Sequence, residues 1–139
     1  MGFKLEILTP FGTYAKFDSV DYLSVPSSNS VLGILPNHAP LVADVILGEI
    51  SITIDNNRDY YATSGGIIYV KKDKTILLLD SIEHGNEIDL ERANLAKDRA
   101  EKRLSNSNKN LEIDELRAKA SLYRALNRIK VATKYYSQK

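Results

Sequence analysis

Cysteine is absent from the 139 residues, so neither disulfides nor thiolate metal sites are available. Such a chain is compatible with a reducing cytoplasm. Long apolar runs are absent too, and none approaches the ~20 residues that a membrane-spanning helix needs. The opening MGFKLEILTP is too short and too polar for a signal peptide. Membrane association is therefore expected only through a partner. Histidine is scarce: there are 2, His38 and His84. No Gly-rich phosphate loop, dinucleotide fingerprint, His-Glu-x-x-His or nucleophile elbow occurs, and no metal-ligand cluster. A catalytic enzyme is unsupported. His38 sits in a proline-flanked loop, where a lone histidine is more often a contact or solvated residue than a catalyst.

Acid is missing from the C-terminus. Residues 116–139 hold 7 Lys/Arg and no Asp/Glu, whereas residues 1–87 hold 6 against 11 and residues 88–115 hold 6 against 7. A uniformly basic tail on an otherwise acidic protein suits an acidic partner surface or an anion. Nucleic acid is disfavoured, because only Tyr123, Tyr135 and Tyr136 offer stacking there and no known module is visible.

What is present divides at about residue 84. Phe3–Leu8 alternates with period two, as a half-buried strand should. Tyr14–Phe17 and Val20–Val25 are further short strands. Val31–Val42 is apolar but carries Pro36 and Pro40, which cannot donate to a ladder, so it is an edge or an exposed loop. Glu49–Asp55 alternates cleanly, with Asn56-Asn57 as the turn candidate before Asp59–Ala62. Ser64-Gly65-Gly66 serves backbone geometry before Ile67–Val70. Thr75–Asp80 is a continuous apolar run, expected to be buried on both faces. Short strands at close spacing predict a β-sandwich or barrel.

From Asp89 the period changes. Ala93, Ala96, Ala100 and Leu104 form a narrow seam of small residues along one helix, with Asp89 placed to cap it. Ser105–Asn110 has no helix drive and predicts a loop. Asp114 caps a second helix or sits in its first turn. That helix runs to about Tyr135 with a seam of Ala118, Leu122, Ala125, Leu126, Ile129 and Ala132. A short connection predicts an antiparallel hairpin. Its alanine-rich seams bury little apolar area, so it is expected to open readily. Arg92 and Arg99 share one face of the first helix, and Arg124 and Arg128 lie four apart on the second. Folding the hairpin would gather the four guanidinium groups with Asp89 and Glu83, a set suited to phosphate oxygens and a base amine. The alternative is that these arginines are solvated or pair with Glu91, Asp98 and Glu101.

Leu32-Gly33-Ile34-Leu35-Pro36-Asn37-His38-Ala39-Pro40-Leu41, Ser64-Gly65-Gly66, Ile88-Asp89-Leu90-Glu91-Arg92-Ala93 and Arg124-Ala125-Leu126-Asn127-Arg128 carry a family resemblance. Over essentially its full length the chain resembles the epsilon subunit of bacterial F-type ATP synthase. The resemblance implies an α+β protein, with a ten-stranded β-sandwich over residues 1–84 and an antiparallel two-helix hairpin over residues 85–139. It implies a non-catalytic rotor-stalk subunit bound to the gamma subunit and the c-ring. Its membrane attachment would be peripheral, at the cytoplasmic face of the plasma membrane. Val31, Leu32 and His38 fall in the ring-facing segment; relatives often carry Glu where Val31 stands, so a polar ring contact is lost or replaced. The family's helices inhibit ATP hydrolysis when extended among the alpha and beta subunits. In some relatives the folded hairpin binds ATP as a regulatory ligand. The matching positions are Glu83, Ile88, Asp89, Arg92, Arg99, Arg124 and Arg128. A stand-alone ATP-sensing module is the other reading of these residues.

Overall fold

The computed structural model describes residues 2–105 and 112–137, the side chains of Glu112 and Ile113 excepted. It divides into two compact units, Met1–His84 and Gly85–Lys139.

The first unit is built of strands β1 (Phe3–Thr9), β2 (Gly12–Val20), β3 (Tyr22–Pro26), β4 (Val31–Ile34), β5 (Leu41–Val45), β6 (Gly48–Ile54), β7 (Asn57–Val70) and β8 (Lys74–His84). They pair in the order β2-β1-β8-β7-β6-β3-β4, and β5 pairs with β7. β7 organises the unit. β8 runs antiparallel along its Tyr61–Val70 stretch, while β6 takes the Asn57–Thr63 half of its other edge and β5 the Gly66–Val70 half. Between the halves the register slips at Gly65 and Gly66, which have φ 120° and 156°. A Cβ at Gly66 would collide with the Leu78 carbonyl oxygen, and one at Gly65 would fall 2.8 Å from that of Val45. Only glycine lets the backbones approach this closely, so Ser64-Gly65-Gly66 bends the sheet without ending the strand. Ten strands are implied by the family resemblance, and eight occur among the described residues.

Alternate side chains fill the interior. Leu5 and Ile7 of β1, Leu23 and Val25 of β3, Ile50 and Ile52 of β6, Ile68 and Val70 of β7 and Leu77 and Leu79 of β8 are buried together. The expectation that Thr75–Asp80 is buried on both faces is overturned. Thr75, Leu77 and Leu79 are buried, but Leu78 is 45% exposed and Asp80 is exposed. No second layer covers the outer face of β8 within this unit, so the strand is buried on one side only. The β6–β7 turn also lies one residue earlier than expected. Asp55 and Asn56 take φ 50° and 66°, and Asn57 already pairs with Ile54. A two-residue hairpin turn of this kind needs positive φ at both central positions, which Asp and Asn tolerate.

In the second unit a 3-10 turn, Gly85–Glu87, leads into α1 (Leu90–Ser105), and α2 spans Glu112–Ser137. Asp114 therefore lies in the first turn of α2. Of the loop expected over Ser105–Asn110, Ser105 instead closes α1, its hydroxyl donating to the Lys102 carbonyl, and residues 106–110 lie outside the described residues. Ala93 and Ala100 of α1 and Ala118, Ala125 and Ala132 of α2 are buried. The seven-residue spacing keeps one alanine stripe of each helix facing the other. Leu126 is 42% exposed and stands off the seam, whereas Leu122 and Ile129 are half-buried beside it. The helices run antiparallel. A Cβ at Gly85, just before α1, would fall 2.5 Å from the Cβ of Tyr135, near the end of α2.

Candidate functional site

The hairpin holds six of the seven residues matched to a nucleotide site. Asp89 caps α1: its Oδ1 accepts from the Arg92 N–H at 3.1 Å and its carbonyl from the Ala93 N–H at 2.9 Å. This satisfies donors that the first helical turn leaves open. Ile88 is buried beside the cap. Arg92 and Arg99 are exposed on α1, and no ion pair to Glu91, Asp98 or Glu101 forms there. On α2, Lys119 pairs with Glu115 at 3.7 Å. On α2, Arg124 donates from Nη2 to Ser121 Oγ at 3.1 Å, and Arg128 is half-buried and engaged. The pairing alternative is thus not realised for Arg92 and Arg99. Their guanidinium groups keep their capacity for anionic oxygens. The seventh residue, Glu83, belongs to β8 of the sandwich unit, where it is half-buried and engaged.

The ring-facing candidates sit on and beside edge strand β4. Val31 is 67% exposed, and Leu32 packs against the core from the same strand. A Cβ at Gly33 would fall 2.6 Å from the Tyr22 hydroxyl, so glycine admits that ring. Beyond β4 the His38 N–H donates to the Leu35 carbonyl at 3.2 Å, closing a tight turn. Pro36 pre-sets its first central position and Asn37, at φ 68°, its second. His38 Nδ1 lies 2.6 Å from the Ala39 carbonyl oxygen, which fixes the imidazole at the loop surface.

One surface was not singled out in the sequence. Val42 pairs with Tyr69, Tyr69 with Ile76, and Ile76 with Glu6; Asp44 pairs with Ile67, Ile67 with Leu78, and Leu78 with Leu8. These two rows lie on the outer face of β5, β7, β8 and β1. Val42, Ile67, Tyr69 and Leu78 are each at least 45% exposed. The signal was the unbroken apolar run in β7 and β8, where a solvated strand would alternate. At the rim, Asp44 accepts from Ser27 Oγ at 2.7 Å and from Ser28 Oγ at 3.2 Å. The Ser27 hydroxyl, then that of Ser28, holds the Asp44 carboxyl below its ordinary value.

No helix among the described residues is long and apolar enough to cross a membrane. Residues 2–85 match the family model "ATP synthase, Delta/Epsilon chain, beta-sandwich domain". Residues 86–133 match "ATP synthase, Delta/Epsilon chain, long alpha-helix domain". The chain is 40% identical over 130 residues to the ATP synthase epsilon chain of Desulfitobacterium hafniense (strain Y51), covering 94% of this chain and 96% of that one. It is 42% identical over 128 residues to the epsilon chain of Halalkalibacterium halodurans, covering 92% and 95%. The fold is similar to a chain of the Euglena gracilis mitochondrial ATP synthase OSCP/F1/c-ring assembly (TM-score 0.80, 17% identity, 91% of this chain and 78% of that one). It is also similar to one in the Tetrahymena thermophila mitochondrial ATP synthase central stalk and c-ring (TM-score 0.64, 13% identity, 95% and 97%). The chain therefore belongs to the ATP synthase epsilon-chain family, a family of non-catalytic stalk subunits.

Proposed function

We propose that this chain links the gamma subunit and the c-ring to the catalytic head at the cytoplasmic face of the plasma membrane. The observation that carries this reading is the apolar outer face of β5, β7 and β8. Four large apolar side chains stand exposed in two adjacent rows of a rigid sheet. A contiguous apolar patch rimmed by polar residues marks a protein interface. The gamma subunit is the partner assigned to it, and the Val31–Leu41 segment faces the ring. The experiment is co-purification of the full chain with gamma. Ile67→Asp, which places an unpaired charge at the centre of the patch, is expected to abolish it while the circular-dichroism spectrum is unchanged. Undiminished capture of gamma by a folded Ile67→Asp chain would sink this assignment.

The hairpin adds regulation. In its extended form α2, acid-free from Leu116 onward, enters between the alpha and beta subunits and blocks hydrolysis. ATP held by Arg92, Arg99, Arg124 and Arg128, with Glu83, Ile88 and Asp89, favours the folded, non-inhibitory form. The absence of carboxylate partners for Arg92 and Arg99 among the described residues supports this reading. A ligand at 100 times its dissociation constant stabilises the form it binds by ~2.7 kcal/mol. That suffices to shift a hairpin held by alanine contacts. Calorimetric titration of the full chain with ATP is expected to give binding heat that Arg92→Ala removes. No heat, or equal heat in both, would eliminate the nucleotide role. If ATP binds but gamma is never captured, the chain is instead a stand-alone ATP-sensing module.

A further inference from the structure

Each apolar row on the outer face of the sandwich has a carboxylate at one corner, and the two carboxylates are treated differently. Glu6 ends the row of Val42, Tyr69 and Ile76. It is neutralised within the chain, by Lys74 at 3.2 Å and Lys16 at 3.8 Å. Asp44 opens the row of Ile67, Leu78 and Leu8. No lysine, arginine or histidine pairs with Asp44 among the described residues. Its Oδ1 accepts instead from Ser27 Oγ at 2.7 Å, Ser28 Oγ at 3.2 Å and the Ser28 N–H at 3.4 Å. Ser27 is buried, so the carboxylate is held in one place at the edge of the patch.

Holding the local turn does not require this charge. The Ser27 N–H already closes the turn on the Ser30 carbonyl at 2.9 Å, and the Ile46 N–H ties it to the end of β5 through the Pro26 carbonyl at 3.0 Å. An asparagine at position 44 would offer the same oxygen to the same donors. The serine hydroxyls favour the ionised form, so a fixed negative charge stands beside the exposed Ile67. A partner that covers Ile67 and Leu78 removes water from that charge, and a carboxylate buried without a partner is costly. The occupant of this face therefore has to bring a donor to this corner. We infer that the gamma subunit presents a cationic side chain to Asp44, and that this pair fixes the register in which gamma seats on the apolar rows. The inference rests on the reading that gamma covers this face, and it adds a specificity-determining contact to it. Apolar burial is non-directional, so the two rows alone would let a partner slide along them. A charged pair at one corner is satisfied in one position and penalises the others. Glu6 does not compete for the same cation, because Lys16 and Lys74 already neutralise it.

The test measures binding of the full chain to the cognate catalytic head assembled with gamma but without this subunit. Asp44→Asn keeps the acceptor for Ser27 and Ser28 and removes only the charge. It is expected to bind about tenfold more weakly, through faster dissociation, with an unchanged circular-dichroism spectrum and urea midpoint. Asp44→Glu, which keeps a charge at this corner, is expected to recover part of the loss. Equal loss in both variants would assign the effect to the turn and overturn the pair. Undiminished binding of Asp44→Asn would overturn it too, leaving the carboxylate as a fastener of the Pro26–Ser30 turn. A change confined to the association rate, closing as salt rises, would overturn it in favour of long-range steering. Ile67→Asp reports the covering of the face separately. Lost binding of Ile67→Asp beside undiminished binding of Asp44→Asn removes the pair and leaves that reading intact. Undiminished binding of both variants removes the reading and the pair together.

Discussion

At the residue scale, several side chains have roles that their local sequence does not announce. Ser51 of β6 is buried at 2% exposure, and its Oγ has no hydrogen-bond partner among the described residues. A buried unpaired hydroxyl costs about 1–3 kcal/mol. Ser51→Ala is therefore expected to stabilise the sandwich by about 1 kcal/mol, read as a higher urea midpoint with an unchanged slope. A lower midpoint would show that the hydroxyl has a partner in solution. The residue was not legible beforehand, because Glu49–Asp55 alternates cleanly and Ser51 falls on the polar phase. It becomes buried because Ile50, Ser51 and Ile52 all lie inside the layer where β3 and β7 flank β6. Asp89 is the opposite case. Its capping role was legible, because an Asp standing where the period changes states its own hydrogen bond.

At the element scale, the hairpin was legible in its parts and misread in phase by one position. Ala118, Ala125 and Ala132 were placed on the seam and are buried, yet Leu126 was placed there and is 42% exposed. Counting every apolar residue broadens the stripe. Close approach of the helices narrows it to the smallest side chains. Ala125→Leu is thus expected to overpack the seam and destabilise the hairpin by about 1–3 kcal/mol. Leu126→Ala, on the exposed flank, should change it by no more than about 0.5 kcal/mol. Thermal melting of the helical circular-dichroism signal compares the two, and equal effects would contradict the assigned seam. The strands show a related limit. Alternation located β1 and β6, but a run that is apolar throughout, as in β8, reads the same whether its second face meets a protein layer of its own or a separate partner.

At the scale of the whole molecule, charge was legible as a total and hidden as a pattern. The acid-free C-terminus is visible in one pass along the chain. The neutralised corner at Glu6 is not, because Lys16 and Lys74 meet it only through the pairing of β1 with both β2 and β8. The apolar outer face is likewise assembled from several strands, with β1 brought beside β8 and β5 beside β7. The family motifs marked the arginines and the Val31–Leu41 loop, but short motifs cannot report a surface that no single segment contains. The same layout separates the roles proposed for the two units. The sandwich offers fixed surfaces, and the hairpin offers helices whose mutual contact is small enough to be exchanged.

The parallel pairing of β1 with β8 also bears on how the molecule forms. Lys4 lies beside Lys74, so the first strand has one neighbour immediately after it in β2 and its other only at the far end of the sandwich. During synthesis, at ~5–20 residues per second, the β1–β2 hairpin must wait several seconds before β8 leaves the ribosome. Until then its β8-facing edge and the apolar side chains Leu5 and Ile7 lack their final cover. Closing so long a loop makes the sandwich the slow step of folding, whereas the helices need only local contacts. The hairpin emerges after the sandwich and folds onto itself quickly, so the kinetic hazard of the sandwich is concentrated in β1.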